Sequence, residues 1–307
     1  MHVETRTAYP LITEQLVRED VQGSAPKAIK AKHKTVGRPK GSVNKNRKHV
    51  VLSPFQKQLQ DCIRLALTLI GLDLIVAYFV YDGAAGLQAV KQTGLHMIGK
   101  QRHDSKLYFP YAGEYSGRGK RRKYGKRLTL ETLTDEHLKK ETVEKNIQTR
   151  IYQVLVWHKN FPELLNVVMM VKTNRKTNRT AKVLLFSDDL TLVSETLIEY
   201  YSLRFQIEFN FRDAKQYWGL EDFMNIKETP VKNAANFSLF MVTFSQRLSG
   251  EIEGVNRSSM LDLKTVFRAR KYTRRVINSL GKNAEEFLMD DRISQAAEIG
   301  RIHVKVA

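Results

Sequence analysis

The sequence predicts an α/β protein, and three stretches carry that prediction. Residues 65–81 form the longest apolar run. It holds helix formers up to Gly71, then Leu74-Ile75-Val76-Ala77-Tyr78-Phe79-Val80, β-branched and aromatic in the manner of a buried strand. Residues 151–157, 165–171 and 181–186 are three further strand-like segments, and Thr173-Asn174-Arg175-Lys176-Thr177-Asn178 supplies a turn between the last two. Residues 194–218 then read as one long helix, capped by Ser194 and stopped by Gly219.

The remaining elements fall into place around these. A strand-like piece covers residues 9–17. Residues 26–48 carry nine Lys or Arg and no acid, and Gly37, Pro39, Gly41 and Asn44 make the segment a basic arm rather than a helix or strand. Ser53-Pro54 starts a helix that ends at Gly71, and a strand over residues 74–81 closes at Asp82-Gly83. A helix over 84–93 stops at Gly94, and 95–100 form a short strand. A polar stretch follows with Arg118, Lys120, Arg121, Arg122, Lys123, Lys126 and Arg127 nearly contiguous. Beyond the long helix the chain is mostly helical, with a second basic cluster at Arg268, Arg270, Lys271, Arg274 and Arg275. No internal repeat is present.

With 307 residues the chain has room for one large domain or two ordinary ones, and 42% apolar residues exclude disorder throughout. Its net charge of +19 favours a polyanionic partner, most simply nucleic acid, because neutralising phosphates releases condensed counterions. An acidic membrane surface is the competing partner. Gly71 and Asp73 interrupt the apolar run, so it is no bilayer span, and the N-terminus lacks a signal-peptide pattern. The single cysteine, Cys62, excludes an internal disulfide framework and suits a reducing cytosol. Gly37-Arg38-Pro39-Lys40-Gly41 resembles an AT-hook core, in which arginine enters a narrow minor groove. From that pentapeptide alone, a solvated linker is the preferred reading.

Two carboxylates stand out chemically. On a continuous helix Tyr201, Arg204, Glu208 and Lys215 fall at roughly 0°, 300°, 340° and 320°, one stripe about 60° wide, with Leu203, Ile207 and Phe211 beside it to seat the helix on a core. A glutamate held between an arginine and a lysine is oriented and ionised, as a metal ligand must be; a surface helix laced by ion pairs is the plainer alternative. Asp82 ends a core strand before a glycine, where α/β sheets commonly place reactive groups, although a turn-forming Asp-Gly pair explains it as well. Trp157 reads as core rather than a base-stacking surface, and His96 as structural.

Tyr201-x2-Arg204-x3-Glu208-x6-Lys215, embedded in YSLRFQIEFNFRDAKQYWGLED, resembles in full the signature of the insertion-sequence-four group of DDE transposases. YFVYDGAAG and GLHMIGKQR resemble the segment around that family's second catalytic aspartate. The resemblance covers residues 10–248 or thereabouts. It implies an RNase H-like fold, a mixed sheet flanked by helices with a β-rich insertion before the glutamate helix. The corresponding division is a partial core over 1–104, a basic insertion over 105–187, the glutamate helix and the rest of the core over 188–250, and a basic helical region over 251–307.

The resemblance also implies two Mg²⁺ ions held by two aspartates and a glutamate, driving DNA cleavage and strand transfer. Asp82 corresponds to the second aspartate and Glu208 to the glutamate, both metal ligands, with Tyr201, Arg204 and Lys215 on DNA phosphate. Arg38, Lys40, Arg118, Lys120, Arg121, Arg122 and Lys123 are the expected DNA contacts. Partners implied are insertion-sequence ends and target DNA, with a homodimer assembled on DNA in the cytoplasm and no membrane. The first aspartate has no counterpart: Asp20 and Asp61 follow no convincing strand, and Asp188 and Asp189 come after the insertion. The expectation is therefore an N-terminally truncated transposase with little or no activity alone. A non-catalytic DNA-binding remnant is the alternative, and a basic RNA-binding protein explains the charge but not the signature.

Overall fold

The structure, a computed structural model, describes residues 8–13, 50–71, 75–115, 117, 119–251, 259–279 and 293. The chain divides into two units, Leu16–Arg204 and Met1–Gln15 with Phe205–Ala307. The basic arm over 26–48, with Arg38 and Lys40, lies outside the described residues, as do Asp20 and Arg118.

In the first unit helix α1 spans Pro54–Ile70. Ser53 caps it through a reciprocal capping box with Gln56, Pro54 occupies the first turn where no N–H is needed, and Gly71 ends it at φ 77°. Strand β1 (Tyr78–Tyr81) is followed by α2 (Leu87–Lys91) and β2 (His96–Gln101). β1 and β2 are parallel, Tyr78 opposite His96 and Tyr81 opposite Gly99. The strand and helix expected over 74–81 and 84–93 are thus shorter: residues 75–77 have no regular structure, and residues 84–86 form a bend and turn before α2.

Six strands follow: β3 (Leu107–Pro110), β4 (Tyr124–Arg127), β5 (Leu138–Glu144), β6 (Ile147–His158), β7 (Leu164–Asn174) and β8 (Thr180–Ser187). Together the described strands make one mixed sheet in the order β1-β2-β8-β7-β6-β3-β4, with β5 also on β6. On the edge away from β7, the twelve residues of β6 serve two partners: the end near Trp157 pairs with β3, the end near Ile147 with β5.

Helix α3 (Ser194–Ser202) completes the layers. Met97, Val167 and Phe186 pack toward α1 and α2, whereas their neighbours Ile98, Val168 and Leu185 pack toward Leu192 and Leu197. Alternate residues of β2, β7 and β8 are buried on opposite faces, which is why VVMMV and VLLF read as unbroken apolar runs. Buried Asn166 ties the two sides of the β7 region together: its Nδ2 donates to Leu192 O at 2.7 Å and to Asp189 O at 3.1 Å, and its Oδ1 accepts from Gln153 Nε2 at 2.9 Å.

The helix expected over 194–218 is two helices. α3 ends at Ser202, Leu203 and Arg204 form a turn, and α4 runs Phe205–Trp218. Val193, not Ser194, is the N-cap of α3; the Ser194 hydroxyl donates to Glu195 instead. In the second unit α4 packs with α5 (Glu228–Glu251) and α6 (Met260–Ser279). Its inward face is Asn210 and Ala214, while Ile207 and Phe211, expected to seat it, are 44% and 45% exposed. Gly219, at φ 73°, ends α4, and Ala214 joins Leu220, Leu239 and Val242 in a small core. Residues 8–13 contain no strand, in contrast to expectation; Ala8 lies against α4, its carbonyl accepting from Asn210 Nδ2 at 2.8 Å.

Candidate active site

Asp82 follows β1 directly and is exposed at the carboxyl end of that strand. The turn after it depends on two glycines. Gly83 takes φ 132°, and its N–H returns to Tyr81 O at 3.1 Å. Gly99 on β2 lets the turn approach: a Cβ there would stand 2.7 Å from Gly83 O.

A single long-range hydrogen bond gives Asp82 its setting. The Tyr201 hydroxyl, projecting from α3, donates to Asp82 Oδ1 at 3.1 Å. Burial, then the hydrogen bond to Asp82, raise the Tyr201 phenol above its usual value, so it remains a donor through the physiological range. The Arg204 guanidinium lies 5.9 Å from the Tyr201 ring centroid, so Tyr201, Asp82 and Arg204 share one locality.

Asp188 and Asp189 mark the opposite end of the same strands. Asp188 Oδ1 accepts from Met97 N–H at 2.7 Å, and Oδ2 faces His96 Nδ1 at 3.3 Å and Lys91 Nζ at 3.9 Å. Asp189 accepts from Tyr78 at 2.6 Å and from the Thr191 N–H and hydroxyl. The length of β1 puts these groups about 13 Å from Asp82, so they hold the sheet end and do not join Asp82.

Burial and the bond to Asp189 push the Tyr78 phenol up to about 12. A folded-state value above the unfolded 10.0 contributes stability that is whole below pH 10 and is lost as the pH climbs toward about 12. Urea denaturation between pH 9 and 11.5 should therefore show the parent weakening relative to Tyr78→Phe as the pH rises; parallel curves would contradict the linkage.

Glu208 is an exposed residue on α4. The break at Leu203–Arg204 removes the continuous helix that the four-residue stripe requires. Glu208 and Lys215 still share a face of α4, seven residues apart or roughly 20°, whereas Tyr201 and Arg204 belong to the other unit. Lys215 ion-pairs with Glu221 at 2.7 Å.

The expected DNA track divides similarly. Lys120, Arg121 and Arg122 are exposed. Lys123 is half-buried, donating to Pro162 O at 3.0 Å with its ammonium 3.4 Å from the Trp157 ring centroid. Its ammonium thereby covers a face of the indole ring.

A divalent ion asks for hard oxygen donors. Asp82 suits it: the carboxylate is exposed, and only Oδ1 is engaged by Tyr201. Among the described residues no three acidic, histidine or cysteine side chains come together around an ion-sized space. Asp82 and Glu208 therefore qualify by donor chemistry, each on its own unit. No helix among the described residues is long and apolar enough to cross a membrane.

Residues 1–160, a little over half of the chain, match the DDE superfamily endonucleases. The chain belongs to that family. The sheet and its flanking helices are accordingly an RNase H-like DDE nuclease fold, and the family acts on DNA, generally with divalent metal ions. The matched stretch contains Asp82, Gly83 and Gly99; Tyr201, Arg204, Glu208 and Lys215 lie beyond it. No curated protein matches the sequence.

Proposed function

We propose that this DDE endonuclease is a transposase of the insertion-sequence-four type, cutting and joining DNA in the cytoplasm with Asp82 and Glu208 as metal-ligand carboxylates. The observation that carries the reading is the bond from Tyr201 to Asp82. The first residue of the Tyr-Arg-Glu-Lys signature reaches, across 119 residues of sequence, the strand-end aspartate that the resemblance independently picks out.

Bound Mg²⁺ would activate the attacking oxygen and stabilise the leaving one. Tyr201 is a positioning residue: it holds Oδ1 and leaves the second carboxylate oxygen to face outward. Arg204, beside Tyr201, supplies positive charge for a phosphate approaching Asp82. Lys215 reaches a phosphate once its pair with Glu221 opens, an exchange between two solvated partners that costs little. Dimerisation on DNA belongs to the same proposal.

A non-catalytic DNA-binding protein is the second reading, favoured by the absence, among the described residues, of three gathered ligands. The deciding experiment incubates the chain with supercoiled plasmid in Mg²⁺ or EDTA and follows nicking alongside DNA affinity. Metal-dependent nicking lost in Glu208→Gln supports the transposase. DNA binding without nicking that is the same in Mg²⁺ and EDTA, and unchanged by Asp82→Ala and Glu208→Gln, supports the second reading, because carboxylates that hold a metal ion beside DNA would make binding depend on that ion.

Tyr201→Phe provides a finer check on the positioning role. Losing a hydrogen bond to a charged group is worth about 1.5–3 kcal/mol, so nicking should slow by roughly ten- to a hundredfold. The Mg²⁺ concentration for half-maximal nicking should rise while DNA affinity holds. An unchanged metal dependence would remove Tyr201 from that role.

A further inference from the structure

The β3–β4 hairpin and the segment after it carry aromatic rings and cations in a repeated arrangement that a phosphate track does not require. The Arg122 guanidinium carbon stands 5.2 Å from the Tyr111 ring centroid, and that of Arg121 stands 5.3 Å from Tyr115. Lys159 lies 5.1 Å from the centroid of Tyr108. Tyr111 and Tyr115 are 38% and 46% exposed, so their rings are open to solvent beside their arginines. The Tyr115 hydroxyl donates to Gly119 O at 2.6 Å, at the edge of the ring and away from its face. Tyr111 lies so close over Gly113 that a Cβ there would stand 2.4 Å from its Oη.

Tyr111 also walls a cleft of about 700 Å³ between this hairpin and the turn that follows β4. Arg122, Lys126 and the polar residues Thr132 and Thr134 line it, with Glu131 as its acid. Cations at a rim, an exposed π surface on one wall and polar donors and acceptors on another suit a flat heterocycle attached to a phosphate. The bases of a duplex are already stacked on one another and offer only their edges, and a duplex is too wide to enter such a cleft. An unpaired strand offers both base faces.

We propose that the Tyr111–Arg122 and Tyr115–Arg121 pairs form a stacking site for single-stranded DNA, with a base entering the cleft beside Tyr111 and the adjoining phosphates meeting Arg121, Arg122 and Lys126. The inference rests on the DNA-processing reading above and adds the form of strand that this hairpin takes. It places the stacking surface on the two exposed tyrosines, with their arginines more than 5 Å from the ring centroids, and not on the half-buried Trp157, which Lys123 approaches to 3.4 Å.

The test uses the full chain and two probes of one sequence, a 15-nucleotide single strand carrying 2-aminopurine and its blunt duplex, at about 0.15 M salt. The single strand should bind with quenching of the 2-aminopurine. The double variant Tyr111→Ala/Tyr115→Ala should lower its affinity by about tenfold or more. Duplex affinity should stay within about twofold, and Tyr111→Phe/Tyr115→Phe should bind both probes as the parent does. Arg121→Ala/Arg122→Ala should lower the single-strand salt slope by roughly 1.4.

The stacking site is overturned if the alanine pair binds the single strand like the parent. It is also overturned if the phenylalanine pair, which keeps both rings, fails to bind it, or if the alanine pair weakens both probes equally while its melting temperature is unchanged. Where the alanine pair melts early, the phenylalanine pair and the parent's 2-aminopurine quenching decide. A parent that binds duplex with no quenching of the single strand sinks this inference and leaves the DNA reading intact. A parent that binds neither probe sinks both.

Discussion

Alanine at Asp82 is expected to abolish metal-dependent strand cleavage in any preparation of this chain that cleaves DNA, a fall on the order of a thousandfold or more in single-turnover nicking. Removing one carboxylate oxygen donor from a hard-cation site costs several kcal/mol of transition-state charge stabilisation, and about 4 kcal/mol already corresponds to that factor. Two structural facts separate this effect from damage to the fold. Asp82 is exposed, and its side-chain hydrogen bond goes to Tyr201. The bond lost with the carboxylate should lower the melting temperature modestly without opening the sheet. The variant should therefore stay folded and, in EDTA, bind DNA with the parent's affinity and salt slope. Asp82→Asn keeps the shape and the bond from Tyr201 yet loses the charge; it should fail equally. Nicking by either variant at the parent's rate would remove Asp82 from the chemistry.

Much of the sheet was legible because its central strands are apolar on both faces. Segments such as VLLF admit few other readings once a glycine or a polar turn bounds them. The break between α3 and α4 was not legible. YYSLRFQIEF contains no glycine or proline, and its polar and apolar spacing continues across the turn. The interruption falls where the chain passes from one unit to the other: Leu197, Tyr200 and Tyr201 pack on one face of the sheet, whereas Asn210 accepts from Gln246 of α5 and Ala214 packs with Leu239 and Val242. The N–H of Leu203 settles the geometry by reaching back to the carbonyls of Glu199 and Tyr200.

The candidate site shows the same division. Asp82 could be picked out from a strand ending in Asp-Gly, and Glu208 from its spacing within the signature. Neither observation reveals that Tyr201 serves Asp82, because a contact across 119 residues leaves no local pattern. The cation-covered ring of Trp157 is likewise invisible in sequence, since Lys123 reaches it from another strand region and looks there like one more member of a basic run. Charge counts identify a partner class. They do not distinguish a lysine that meets phosphate from one that packs on indole.

Gly99→Ala should be the most damaging single-methyl change in the sheet, lowering stability by about 2–3 kcal/mol and the melting temperature by roughly 5–10 °C. The added Cβ would stand 2.7 Å from Gly83 O and 2.7 Å from the Phe186 ring. Phe186, next to the last residue of β8, is wholly buried and has no space into which to swing. Gly83 is the backbone unit directly after Asp82, so the other clash pushes on the turn that presents the carboxylate. The two contacts can be separated. Adding Phe186→Leu to Gly99→Ala removes the ring clash and leaves the carbonyl clash, so the double variant should regain part of the lost melting temperature relative to Phe186→Leu alone. Its nicking, where the parent nicks, should stay depressed, because Asp82 remains displaced. Full recovery of both would show that Gly99 serves only the core, whereas a Gly99→Ala protein as stable as the parent would mean that β1 and β2 do not approach as closely as the turn at Asp82 requires.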